Sequence, residues 1–306
     1  MKEKRNYDLL ILGGGPAGMT AAIYAARANL KTAIIEIDIC GGLVNSTYVV
    51  ENFPTYKSIH GMELMQKLSE QILDLGVYVE EVSEILDINL ANPKKSIETE
   101  EFIYNADAMI LATGRNPMPL DLQTDCQQIH YCSICDGSAY KDKSVLVVGG
   151  GNSGFDESLY LLSLGVKEII LIEKMDHFFA SQSIQETLSG YENVTLKLST
   201  EVSEIIGKEK LETVMLKDLN TKETYKKKID GIFVYMGQVP NTKMFADSVL
   251  LDKNGYVLSN EEMITNLDGV FVAGDVRQKS YRQITTAMND GTIAALNAEK
   301  YIRINR

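Results

Sequence analysis

The sequence predicts an α/β fold with two Rossmann-like units, and three observations carry the prediction. The segments YDLLILGGGPAGMTAAIYAA, from Tyr7, and KSVLVVGGGNSGFDESLYLL, from Lys143, resemble each other; each runs from a short Ile, Leu and Val stretch through GxGxxG into a helix-forming stretch. The 306 residues exceed what one hydrophobic core usually organises, which favours two domains. Further apolar strands, KTAIIEID and AMILATG, follow the first turn.

The elements justify themselves in order. Gly13 and Gly149 supply the tight turns, Gly15 and Gly151 let a pyrophosphate approach the backbone, and Gly18 and Gly154 let each helix pack on its sheet. A glycine turn used only for packing is the competing reading, and the first copy has the fuller set of companions. Its second strand ends in Glu36, placed to accept from ribose hydroxyls, and AMILATG ends at Gly114. In GVFVAGDV, Asp275 closes another apolar strand before a long carboxy-terminal helix. After the second copy, the stretch LIEKMDHFFA places Glu173 at a strand end and then runs to Phe178 and Phe179.

Apolar residues at 45% and charged residues at 24% describe an ordinary soluble globular chain. A net charge of −12 argues against nucleic acid and anionic membrane as partners. The apolar run in MKEKRNYDLLILGGG is too short for a signal peptide and no run would span a bilayer, so the expected location is cytoplasmic. Of Cys40, Cys126, Cys132 and Cys135, only the last two are close. A lone CxxC reads as a redox pair or half a zinc site. With His60, His130 and His177 as the histidines and no second CxxC, the redox reading is preferred and no metal is expected.

GGGPAG, VENFP, ATG, CSICDG, GGGNSG, GQVPNT and GVFVAGDV…YRQ stand in the order and spacing of the bacterial thioredoxin reductases of low molecular mass, and the chain resembles that family nearly end to end. The resemblance implies an FAD-binding domain made of residues 1–115 and 244–306. A nucleotide-binding-like domain carrying the CxxC, residues 116–243, is inserted in it. It implies that Gly13, Gly15, Gly18, Glu36, Asn52, Asp275 and Gln283 bind FAD. Leu43 in GGLV and Ile284 after YRQ depart from the family pattern, which touches individual flavin contacts. It further implies that Cys135 receives electrons from the flavin, that Cys132 attacks the substrate disulfide, and that Asp136 manages the protons. A homodimer, thioredoxin as partner and a rotation between domains come from the same source. Cys40 and Cys126 read as bland thiols, Cys40 beside the Gly41 and Gly42 turn.

Family members that use NADPH carry HRRxxxR after the second strand of the inserted domain, whereas this chain has EKMDHFF. Glu173, Lys174 and Met175 replace HRR and Phe179 replaces the last arginine, which speaks against NADPH. Two readings survive. In one, Gly149, Gly151, Gly154 and Glu173 hold NADH, as the flavoprotein subunit of alkyl hydroperoxide reductase does. In the other, that site is vestigial, with Met175, Phe178 and Phe179 filling the adenosine slot, as in the ferredoxin-dependent flavin thioredoxin reductases. Reduced ferredoxin is preferred, with Lys226, Lys227 and Lys228 as a dock for it. Rival readings are a peroxiredoxin reductase, a dithiol oxidase of the same fold and a non-catalytic flavin module.

Overall fold

The computed structural model describes residues 2–91, 93–122, 126–207 and 210–306. The chain forms two compact α/β units, one of Met1–Asn116 with Val239–Arg306 and the other, between them in sequence, of Pro117–Gln238.

The first unit is organised by a five-stranded parallel sheet in the order Val270–Val272, Ala108–Leu111, Leu9–Leu12, Thr32–Ile35, Tyr78–Glu80. Its inner strands are apolar at nearly every position because both faces are covered. Leu9, Ile11 and Ile34 enter one core with the helices, while Leu10, Leu12 and Ile35 enter a second core with Tyr104 and Ile97. Helix Pro16–Arg27 follows the first strand, with Pro at its start, where a missing N–H costs nothing. The terminal helix Ile284–Asn305 packs against it so closely that a Cβ on Gly291 would lie 2.2 Å from the Ala17 carbonyl oxygen. A four-stranded sheet of Glu3–Asn6, Phe102–Ala106, Lys95–Thr99 and Ile85–Asn89 completes the unit.

The second unit repeats the scheme. Its parallel sheet runs Ile129–His130, Gly231–Val234, Ser144–Val148, Glu168–Ile172, Val194–Lys197. Alternation again divides the strands: Val145, Val147, Ile169 and Leu171 enter one core, and Leu146, Val148, Ile170 and Ile172 enter the other. Helix Asn152–Ser163 follows strand Ser144–Val148 through the glycine turn, helix Gln182–Ser189 comes after strand Glu168–Ile172, and an antiparallel sheet of Thr200–Ile206, Thr213–Asp218 and Thr224–Lys227 completes the unit. Among the described residues, no helix is long and apolar enough to cross a membrane.

Candidate active site

The two glycine turns have nearly the same geometry. Gly13 and Gly149 take φ of 109° and 120°, and a Cβ on either would strike a backbone carbonyl, that of Ala112 at 2.4 Å or of Tyr235 at 2.3 Å. Only glycine meets both demands without strain. A Cβ on Gly18 or Gly154 would lie 1.9 or 2.0 Å from the carbonyl oxygen of the first glycine, so the helix seats directly on the turn. Around Gly15 and Gly151 nothing lies within 4 Å of that position, and no side chain caps either following helix. The uncapped helix starts present N–H groups where a phosphate is stabilised.

The acids at the second-strand ends are placed alike. Glu36 accepts the Gly14 N–H at 2.6 Å and the Asp38 N–H at 3.0 Å. Glu173 accepts the Gly150 N–H at 2.7 Å and the Met175 N–H at 3.0 Å. In the first unit Asn52 Nδ2 donates to Gln283 Oε1 at 3.1 Å, and Gln283 also caps helix Ile284–Asn305 in a reciprocal capping box. Asp275 is paired with Arg115 at 3.0 Å and with Lys279 at 3.3 Å. Sequence reading passed over Arg115, although it directly follows the ATG strand end.

In the second unit Cys132 and Cys135 form a disulfide. Cys132 caps helix Ser133–Asp136, its sulfur accepting the Cys135 N–H at 3.1 Å. The fully buried Ser133 donates its hydroxyl to Glu157. Burial pushes the Glu157 carboxyl up to about 7, with the Asp156 charge in the same direction and the Ser133 hydroxyl against it. Asp136 Oδ2 lies 3.1 Å from His130 Nδ1. His130 and Glu157 escaped the sequence reading; the first stands two residues before the CxxC, and the second is one of two adjacent acids on its helix.

The stretch after Glu173 folds back on its own turn. The Phe179 and Ala180 N–H groups donate to the Gly150 carbonyl at 2.8 and 3.2 Å, and the Ser181 N–H to Asn152 Oδ1 at 2.8 Å. Phe178 packs edge-on against the buried Phe155, with ring centroids 5.1 Å apart, and abuts Gly150. Met175 and Phe179 do not fill a slot beside it; they are 49% and 60% exposed. The backbone bonds to Gly150 fix the alternation, so Phe178 turns inward and its neighbour outward. Lys174 is paired with Glu201 at 3.0 Å, and Lys227 with Glu168 at 2.8 Å, leaving Lys226 exposed on an edge strand and Lys228 exposed just past its end.

Cys40 lies against Gly14, where a Cβ would come within 2.3 Å of its sulfur. Burial, then the Glu81 and Glu36 carboxylates, hold its thiol well above the ordinary thiol range. Among the described residues no His, Cys, Asp and Glu cluster could hold a metal ion.

The profile described as "Pyridine nucleotide-disulphide oxidoreductase" matches residues 7–291. The chain belongs to the pyridine nucleotide-disulphide oxidoreductase family. It is 43% identical over 306 residues to a "34.2 kDa protein in rubredoxin operon" of Clostridium pasteurianum, covering 99% of each chain. It is 36% identical to the thioredoxin reductase of Bacillus subtilis, covering 99% of this chain and 96% of that one. A solved thioredoxin reductase of Lactococcus lactis superposes with a TM-score of 0.90 at 35% identity, over 97% of this chain and 99% of the other. As a pyridine nucleotide-disulphide oxidoreductase the chain is an FAD protein by family. The open space at Gly15, the uncapped helix start beside it and the acid at Glu36 fit a dinucleotide in the first unit.

Proposed function

We propose that this protein is a thioredoxin-disulfide reductase that takes its electrons from reduced ferredoxin rather than from NADPH. The observation that carries the reductase reading is the Cys132–Cys135 disulfide, with Asp136 next in sequence and the first sulfur already accepting a backbone N–H. In the dithiol form that N–H stabilises a Cys132 thiolate, the species able to attack a disulfide. Cys132 then forms a mixed disulfide with thioredoxin, Cys135 resolves it, and Asp136 protonates the departing sulfur.

Gly13, Gly15 and Gly18 would hold FAD's pyrophosphate, Glu36 its ribose, and Asn52, Asp275 and Gln283 the remainder. When bound, FAD supplies the electron pair that opens the disulfide. The discontinuous unit would be the FAD domain and the inserted unit the CxxC domain, in a homodimer. Against NADPH stand a carboxylate where the 2′-phosphate would lie and a Lys174 already committed to Glu201. The rubredoxin-operon setting of the Clostridium pasteurianum relative supports a small protein carrier as donor. A second reading, NADH, is favoured by Glu173, whose contacts reproduce those of Glu36.

Anaerobic bleaching of bound FAD with NADPH, NADH and reduced ferredoxin offered separately tests this. Rapid bleaching by ferredoxin is expected. Bleaching by NADPH sinks the donor inference, and bleaching by NADH replaces ferredoxin with the second reading. Reduction by a small dithiol followed by oxygen uptake, with none of these donors active, identifies a dithiol oxidase.

A further inference from the structure

Two residues before the CxxC, His130 completes a polar chain that the mechanism above leaves unused. Its Nδ1 lies 3.1 Å from Asp136 Oδ2, and its Nε2 lies 2.6 Å from the Tyr140 hydroxyl. The histidine side chain is 15% exposed and Asp136 41%, while Tyr140 is buried. The imidazole packs against the rings of Phe233 and Tyr140, at 5.1 and 5.3 Å, and those two rings lie 5.3 Å from each other.

This geometry suits two protonation states. A neutral ring with its proton on Nδ1 donates to Asp136 and accepts from Tyr140; a charged ring donates to both, because the tyrosine hydroxyl can turn. Among the described residues, the other ionisable groups facing these side chains are few. Asp230 and Lys143 act on Tyr140, and Tyr235 sits near Asp136 with Glu157 beyond it.

We propose that His130 is a positioning residue that orients Asp136 and keeps it supplied with the proton that a departing substrate thiolate takes up. The inference rests on the disulfide-reductase reading above. The reduced pair carries one thiolate, Cys132, and one thiol, Cys135. Attack by Cys132 makes one sulfur–sulfur bond to the substrate and breaks the substrate's own, and the released thiolate takes a proton from Asp136, replenished by His130. Cys135 then gives up its proton to the second substrate sulfur as it reforms the Cys132–Cys135 bond. Two electrons and two protons reach the substrate, one proton from Cys135 and one from the Asp136–His130 pair. An isolated carboxylic acid ordinarily titrates near ~4 and holds little proton at neutral pH, whereas imidazole ordinarily titrates near ~6.5.

The test compares the holoenzyme and its His130→Gln variant, both reduced anaerobically and mixed in stopped flow with two disulfides. Hydroxyethyl disulfide releases a thiolate that needs a proton; 5,5′-dithiobis(2-nitrobenzoate) releases one that is stable without it. The expected result is slowing on the order of 100-fold with hydroxyethyl disulfide at pH 6 and at least about tenfold less with the second reagent. The parent-to-variant ratio for hydroxyethyl disulfide shrinks toward one as pH rises through the imidazole range. Equal slowing with both reagents, or a ratio that does not change with pH, overturns the proposal. If His130→Gln misfolds, Tyr140→Phe keeps the ring, removes the Nε2 partner and must show the same contrast at smaller amplitude. Thioredoxin disulfide in the same assay separates the two readings: a parent that reduces hydroxyethyl disulfide but not thioredoxin sinks the thioredoxin assignment, while the variant comparison still decides the role of His130.

Discussion

The Glu173 carboxylate accepts the Gly150 N–H at 2.7 Å, the counterpart of the 2.6 Å bond from Gly14 to Glu36 in the other unit. The same side chain that would read a ribose therefore also braces the turn. Glu173→Ala leaves two N–H groups without their acceptor, and the expected cost is about 1–3 kcal/mol in denaturant titration. FAD bleaching by ferredoxin is expected to survive this change. Under the NADH reading the substitution instead abolishes bleaching, so one variant reports on both.

Glu157 imposes a pH dependence on stability. Its folded carboxyl titrates near 7 against an ordinary 4.5, so between those values the folded state holds a proton that the unfolded chain has released. The Glu157 contribution to stability is greatest below about 4.5, falls as pH rises to 7 and then levels off. Glu157→Gln, uncharged and nearly isosteric, removes this loss. The variant gains on the order of 1–3 kcal/mol over the parent at pH 8 and little at pH 4.5, measured by thermal melts across that range.

The cysteines differ in reactivity for reasons of environment. After anaerobic reduction at pH 8, iodoacetamide is expected to alkylate Cys132 first and Cys40 slowest, because burial and two nearby carboxylates oppose the Cys40 thiolate. Peptide mass spectrometry over a time course gives the order, and fast labelling of Cys40 in the folded protein contradicts it.

Gln283 joins two distant pieces of the first unit through Asn52 while capping the last helix. Gln283→Ala is expected to cost about 1–2 kcal/mol of stability. It is also expected to raise the fraction of protein that loses FAD on gel filtration, read from the ratio of flavin to protein absorbance.

The α/β class and the duplicated turn were legible in the sequence because glycine spacing and apolar alternation are local signals. Gly13 and Gly149 announced their turns through chemistry that no other residue supplies. His130, Tyr140 and Arg115 were not legible in that way. Each acquires its meaning from a partner brought near by the fold, Arg115 from Asp275 across 160 residues of chain. Met175, Phe178 and Phe179 show the same limit on a shorter scale. Their composition suggested one filled slot, but the two N–H bonds to the Gly150 carbonyl decide which aromatic turns inward.

Those bonds bear on any attempt to make the protein accept NADPH. An engineer who introduces arginines at positions 174 and 175 to recruit NADPH must also remove Glu173, since its charge would repel the 2′-phosphate. That same carboxylate ties down Gly150, and Phe178 stands against the same glycine. The first step of such a redesign therefore lowers heat tolerance before it admits NADPH, and a selection run near the melting temperature would discard it.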